Sequence, residues 1–302
     1  MNMFSLLFLV IAILGMPLNG FIVVMNCRTW MRKRCLPPGD QIVTSLCLSQ
    51  WIFQGLSCVY FCFHVFLARV PLFYVDIVLA GLTMFLNYLS IWFASLLSVY
   101  YCVKLSSYKH VVFLYPKRKM SKMVPWCIGL SGILSLLSFV PFGISFYSQN
   151  KTFHNITRNT NQESYTYLMG SSPPFIIFTI AFLLTIPSLW RHIRNMRGVG
   201  SSFRSPDMKI HYNAIKSMAA FFLLHIVFIV CVNIQFCGLL TLGTLYSSLT
   251  LMVAMFYPML HSAVIIFYNR NLRQGVLLLV SFIFRFGHKI KVDNPEGVDK
   301  NR

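Results

Sequence analysis

The chain has 302 residues, 57% of them hydrophobic and only 11% charged, with a mean hydropathy of +0.66. A soluble domain carries about 25% charged residues, so this chain has too little polar surface to coat a water-facing globule, which excludes a soluble enzyme and a disordered tail protein. Its 26 Lys and Arg against 7 Asp and Glu leave a net charge of +19. A nucleic-acid binder with that excess would be dense in charge and free of long apolar runs, and this chain is the reverse.

In chain order, Asp, Glu, Lys and Arg are absent from residues 1–27, 41–68, 77–103, 123–150, 164–190 and 217–269. The first five windows each suit one helix, since about 20 residues cross the hydrocarbon core. The last, at 53 residues, holds two spans, with Gly238 and Gly243 marking a turn between them. Backbone in lipid must satisfy its own hydrogen bonds, and isolated runs of this length suit helices rather than barrel strands. The expected fold is therefore an all-α membrane protein, a bundle of seven transmembrane helices. Residues 276–284 form a further apolar run, between Arg273 and Arg285. It is too short to cross, and reads as an interfacial helix lying on the membrane. Residues 1–290 make one membrane domain, and 291–302 read as a disordered cytoplasmic tail.

The connections 28–40, 104–122 and 191–216 and the tail 269–302 together hold 23 of the 26 Lys and Arg. Only Arg69, Lys151 and Arg158 sit on the other side. Positive charge marks the cytoplasmic face, so the N-terminus is expected outside and the C-terminus inside, and much of the +19 is topology signal. The first run lacks a basic leader of the kind that precedes a cleaved signal, so the first helix itself serves as the insertion signal. Two glycosylation sequons, at Asn150 and Asn155, both fall in the connection 147–172, assigned to the outside.

Six of the nine cysteines fall within spans, and connection 147–172 has none, so no external disulfide framework can be drawn. Enzyme chemistry has little to stand on. Asp76 is the only acid in any span, and His64, His225 and His261 stand singly on three helices, which supplies neither a carboxylate pair nor a metal cluster. Residues 217–288 contain no lysine for a retinal Schiff base. No cofactor and no metal are expected. A receptor leads, and a facilitative transporter is second. A transporter would be expected to repeat a three-helix unit, but helices one to three and five to seven share no motif.

The details resemble one receptor family. The first helix carries Asn19-Gly-Phe-Ile22, then Asn26; the third has Trp92, Ala94, Leu97, Ser98, Tyr101 and Lys104. The fifth ends Ser188-Leu-Trp-Arg-His192 with Met196 following, and the sixth is entered through His211, Ala214 and Lys216. The seventh gives Pro258, His261, Ser262, Asn269 and Leu272. This pattern is similar to the type 2 (bitter) taste receptors, and vomeronasal type 1 receptors fit less well. Three positions depart from it: Gln50 where Arg is usual, Phe228 for a tyrosine, and Leu251 where some members have an acid.

The resemblance implies a G-protein-coupled receptor for small, largely apolar organic compounds, with a heterotrimeric G protein and membrane lipids as partners and no nucleic acid. It implies that Asn87 points into a ligand cavity between helices three, five, six and seven. Thr83 and Ser90 lie near the same stripe, and Phe175, Phe178, His225, Phe228, Ser247, Thr250 and Leu251 are the facing candidates. Asn19, Gln50, His261 and Ser262 each lie about 10 Å inside the cytoplasmic face. Isolated amides and imidazoles are costly in lipid, so these four are expected to bond one another and, with Tyr101, to form an activation network. Lys104, Arg191, His192, Lys209, His211 and Lys216 would face the G protein. An N-terminal tag should be labelled on intact cells and a C-terminal tag only after permeabilisation, and labelling of the C-terminal tag on intact cells would reverse the topology.

Overall fold

Each of the first five charge-free windows becomes one long helix and the last becomes two, and the fold is all-helical among the described residues. The computed structural model describes residues 3–66, 73–105, 111–151, 160–198, 206–236 and 245–293. The helices are α1 (Met3–Lys33), α2 (Pro38–Phe66), α3 (Phe73–Leu105), α4 (Val111–Lys151), α5 (Thr160–Gly198), α6 (Pro206–Phe236), α7 (Leu245–Tyr268) and α8 (Arg270–Asp293). Stretches of α1 to α6 are long and apolar enough to cross a membrane, and α7 with α8 forms a seventh, bent pair. The chain is a multi-pass membrane protein.

Local chemistry sets the sharp ends. Arg34 closes α1 in the left-handed region (φ 52°), its N–H donating to the Trp30 carbonyl at 2.7 Å, a helix-ending geometry more often left to glycine. Pro38 then opens α2, where a missing N–H costs nothing. Between α7 and α8 a single residue, Asn269, is non-helical. Its side-chain oxygen accepts from the backbone N–H groups of Asn271 (3.1 Å) and Leu272 (3.4 Å), so it N-caps α8. Across this cap the chain turns by 99°.

The central helix is α3, packed against α2, α4 and α5; α1 packs on α2 and α7, and α6 on α5 and α7. The main apolar core lies toward the cation-rich end, with Ile22, Leu46, Leu97, Tyr100, Phe178, Phe221 and Ile265 among its members. The lipid-facing character of α4 is plain from Trp126, 83% exposed, and from exposed Ile133, Leu137 and Ile144. Large apolar side chains in such positions are solvated by acyl chains and need no protein partner.

Several boundaries differ from expectation. The connection drawn at 147–172 is helical up to Lys151 and again from Thr160. Likewise helix continues into the basic connections, as far as Lys33, Leu105 and Gly198. A charge-free window measures only the part of a helix that lipid must cover, whereas a helix once begun adds residues cooperatively past that limit. The interfacial helix is longer than 276–284, covering Arg270–Asp293, so it runs through the first residues of the tail drawn at 291–302. The rest of the tail, and the turn at Gly238 and Gly243, lie outside the described residues.

One close approach depends on a glycine. A Cβ on Gly170 of α5 would stand 2.8 Å from Tyr88 Cε1 and 2.9 Å from the Ser138 backbone oxygen. Backbone cannot yield as a side-chain tip can, so Gly170→Ala should destabilise the bundle by about 1–3 kcal/mol, the usual cost of overpacking. Gly129→Ala, where a Cβ would meet nothing within 4 Å, is the matched control. Thermal unfolding of the purified protein in detergent checks both, with a lowered midpoint expected for Gly170→Ala alone.

Candidate functional site

Of the α3 stripe, Thr83, Asn87 and Ser90 are all buried, yet they face different neighbours. Thr83 Oγ1 donates to its own helix at the Leu79 carbonyl (2.8 Å). The Asn87 amide donates to the Tyr167 hydroxyl of α5 at 3.0 Å. Ser90 Oγ turns to α2, 3.0 Å from Ser49 Oγ. Residues three and four apart share a broad helix face, and here that face is wide enough to touch two helices. Tyr167 was not among the sequence candidates. It is fully buried beside Tyr88, whose ring centroid is 5.5 Å away, and the sequence signal, a tyrosine near the polar start of a span, was too common to single out.

Across the bundle, α5, α6 and α7 build an aromatic column around two histidines. His225 lies 4.5 Å from the Phe178 ring and 5.9 Å from Phe175, centroid to centroid. Its Nδ1 is 3.2 Å from the Tyr257 hydroxyl, and its Nε2 has no partner among the described residues. Phe228 stacks on Tyr257 at 4.3 Å, and the column continues through His261, 5.6 Å from Tyr257 and 4.6 Å from Phe221. Four of the expected ligand residues, Phe175, Phe178, His225 and Phe228, are thus brought together. Thr250 is half-buried on α7, while the side chains of Ser247 and Leu251 lie outside the described set. Tyr257 is the member that sequence reading missed.

Deeper toward the cation-rich end, Ser262 donates to Asn19 Oδ1 (2.5 Å), and Asn19 Nδ2 donates to Gln54 Oε1 (3.1 Å). This joins α7, α1 and α2. The glutamine in the chain is Gln54, one turn from the expected Gln50, whose buried amide atoms both lack a partner among the described residues. His261 is buried next to this node, with Nδ1 unpartnered among the described residues.

Beyond the node a cavity of about 760 Å³ opens between α2, α3, α6, α7 and α8. Lys104, Arg270, Arg273 and Asp40 line it, with Tyr100, Tyr101 and Phe221 forming the inner wall. The Lys104 ammonium sits 5.4 Å over the Tyr100 ring, a cation–π distance. Arg191 and Lys216 are exposed, and the side chains of His192, Lys209 and His211 lie outside the described set. Arg270 and Arg273 join the expected cations because the 99° turn at Asn269 folds α8 across this end.

Residues 1–283 match the family described as Taste receptor protein (TAS2R). The chain belongs to this taste receptor family. Among its relatives are taste receptor type 2 member 104 of Rattus norvegicus, 31% identical over 280 residues covering 87% of this chain and 90% of that one. Member 8 of Gorilla gorilla gorilla is 30% identical, covering 93% and 96%. Member 4 of Homo sapiens is 30% identical, covering 89% and 93%. The protein is a chemosensory, G-protein-coupled receptor of the bitter taste type, and its family is not an enzyme family. This membership displaces the vomeronasal and transporter alternatives.

In this taste receptor the Asn87–Tyr167 bond ties α3 to α5. A double-mutant cycle of Asn87→Ala and Tyr167→Phe in thermal unfolding should give a coupling near 0.6 kcal/mol, the average for such bonds in membrane proteins. Additive losses would mean that the two groups do not interact.

Proposed function

We propose that the receptor resides in the plasma membrane with its N-terminus outside, binds small, largely apolar and neutral compounds between α3, α5, α6 and α7, and docks a heterotrimeric G protein at its cation-rich end. The observation that carries this reading is the arrangement along one axis. A neutral aromatic column, the Ser262–Asn19–Gln54 node and a cation-rimmed cavity follow one another toward the end that holds most of the Lys and Arg. The charge split supports the orientation.

Asn87, Thr83 and Ser90 on α3, with Phe175, Phe178, His225 and Phe228 opposite and Ser247, Thr250 and Leu251 of α7, form the agonist site in this reading. Its described members include no carboxylate to pair an amine and no fixed cation, so recognition rests on apolar contact and a few neutral hydrogen bonds. Such pockets discriminate weakly among similar apolar shapes, which suits a detector of diverse lipophilic compounds. His225 Nε2, buried and unpartnered among the described residues, offers one of those bonds.

Agonist binding shifts the network of Asn19, Tyr101, His261 and Ser262, and the G protein meets Lys104, Arg191, His192, Lys209, His211 and Lys216. Anionic lipid headgroups border the same face, where α8 lies with Leu277 and Leu278 exposed. Asn150 and Asn155 carry glycans outside.

The test is a calcium response in cells expressing the receptor with a promiscuous G protein, across neutral lipophilic compounds, amines and carboxylates. Responses are expected to concentrate in the neutral set; responses confined to the charged sets would refute the agonist class. His225→Phe, compared with its parent in a Tyr257→Phe background so that no buried hydroxyl loses its Nδ1 partner, keeps the ring packing and removes the ring nitrogens. It should weaken hydrogen-bonding agonists roughly two- to twelvefold, the worth of one neutral bond, and leave purely apolar ones unchanged.

A further inference from the structure

Six buried side-chain atoms lack a hydrogen-bond partner among the described residues, and three of them belong to two glutamines of α2: both polar atoms of Gln50, and Nε2 of Gln54. The two residues are one turn apart and so share a face. Their situations differ. Gln50, at the position where the resembled family usually has Arg, bonds nothing among the described residues. Gln54 is fully buried and accepts from Asn19 Nδ2 through Oε1 alone.

The packing around Gln54 is built for that amide. A Cβ on Gly15 of α1 would overlap Gln54 Nε2 outright, and would stand 3.1 Å from its Cδ and 3.2 Å from Met259 Cβ on α7. Gly15 is therefore where α1, α2 and α7 come together, and a Cβ there would require the glutamine head to swing out of its present place. The Gly15 carbonyl also takes a long bond from Asn19 Nδ2 (3.4 Å). Ser262, on the far side of Asn19, lies seven residues before Asn269, roughly 10 Å along the helix. Past that point α7 and α8 supply Tyr268, Asn269, Arg270 and Arg273 to the cavity wall, while α2 supplies Asp40 and Val43. The node fixes these two walls relative to each other.

We propose that Gln54 is the positioning residue that holds α2 in register with α1 and α7 for signalling, in the place where Gln50 would be expected to act. This rests on the receptor reading given above. Because only Oε1 is used, the chemistry of the side chain is separable. Gln54→Glu in its neutral form keeps the accepting oxygen and exchanges the unpartnered amide NH2 for a single hydroxyl. Gln54→Met keeps length and loses the acceptor.

The experiment uses the full-length receptor in cells, with responses normalised to surface receptor. Gln54→Met should lower the maximal G-protein response roughly three- to eightfold, the factor for one or two bonds of typical membrane strength, with agonist potency little changed. Gly15→Ala should fall likewise. Gln54→Glu and Gln50→Met should stay within about twofold of the parent on the same scale. The proposal is overturned if Gln50→Met costs as much as Gln54→Met, or if Gln54→Glu fails together with Gln54→Met. It is also overturned if Gln54→Met changes only surface expression, which is what a static clamp would do. If the parent receptor answers no agonist in the panel, the agonist class is at fault. A Gln54→Met and Asn19→Ala double-mutant cycle in thermal unfolding then decides: non-additive losses support the contact, and additive losses remove it.

Discussion

Polar groups inside a bilayer have no water to fall back on, and the rest of this structure depends on that constraint. The backbone meets it by becoming helix, and the helices run past the apolar windows on several sides. The side chains cannot meet it alone. Asn19, between Ser262 and Gln54, shows the solution: one amide spends its donor on α2 and its acceptor on α7. A single residue thereby sets the spacing of three helices.

The same requirement explains why small residues and aromatic ones divide the interior between them. Where a polar head must be admitted, as at Gly15, the backbone of the neighbour has no side chain. Where no such bond is needed, rings fill the space, and the column from Phe175 through His225 and Tyr257 to His261 packs with centroids 4.5 to 5.9 Å apart. Two histidines in that column each keep one nitrogen unpartnered among the described residues. A ring stack tolerates this better than a clamp does, because apolar contact surrounds the imidazole even when its edge is unbonded. In the proposed agonist site, the unpaired edge of His225 is where a ligand's hydrogen-bonding group has most to gain.

Charge is handled by segregation. The cations collect at one end, on helix extensions and on α8, and the cavity there mixes Lys104, Arg270 and Arg273 with one described carboxylate, Asp40. A charged group is cheap where headgroups and water reach it and costly in the core. In the proposed reading, ligand recognition falls to the neutral groups and the protein partner meets the charged ones. The node between the two regions is built from neutral side chains, so no charge is held in the lipid-covered core there.

Seven spans, their order, the cation-rich end, the amphipathic helix after the seventh and the family pattern were all legible in the sequence, because each is a one-dimensional property of hydropathy, charge or motif spacing. The burial of Asn19, His261 and Ser262 was legible too, since a lone polar residue in an apolar run has nowhere else to go. Partner choice was not. Gln50 and Gln54 are chemically identical and share a helix face, and only the approach of α1 at Gly15 decides which amide meets Asn19. Nor could spacing tell that Asn87 faces Tyr167 while Ser90 faces Ser49, or that a cap at Asn269 would swing Arg270 and Arg273 into the cavity. A rotation of a few tens of degrees about a helix axis changes the neighbour without changing the hydrophobic pattern, so those choices belong to the tertiary packing.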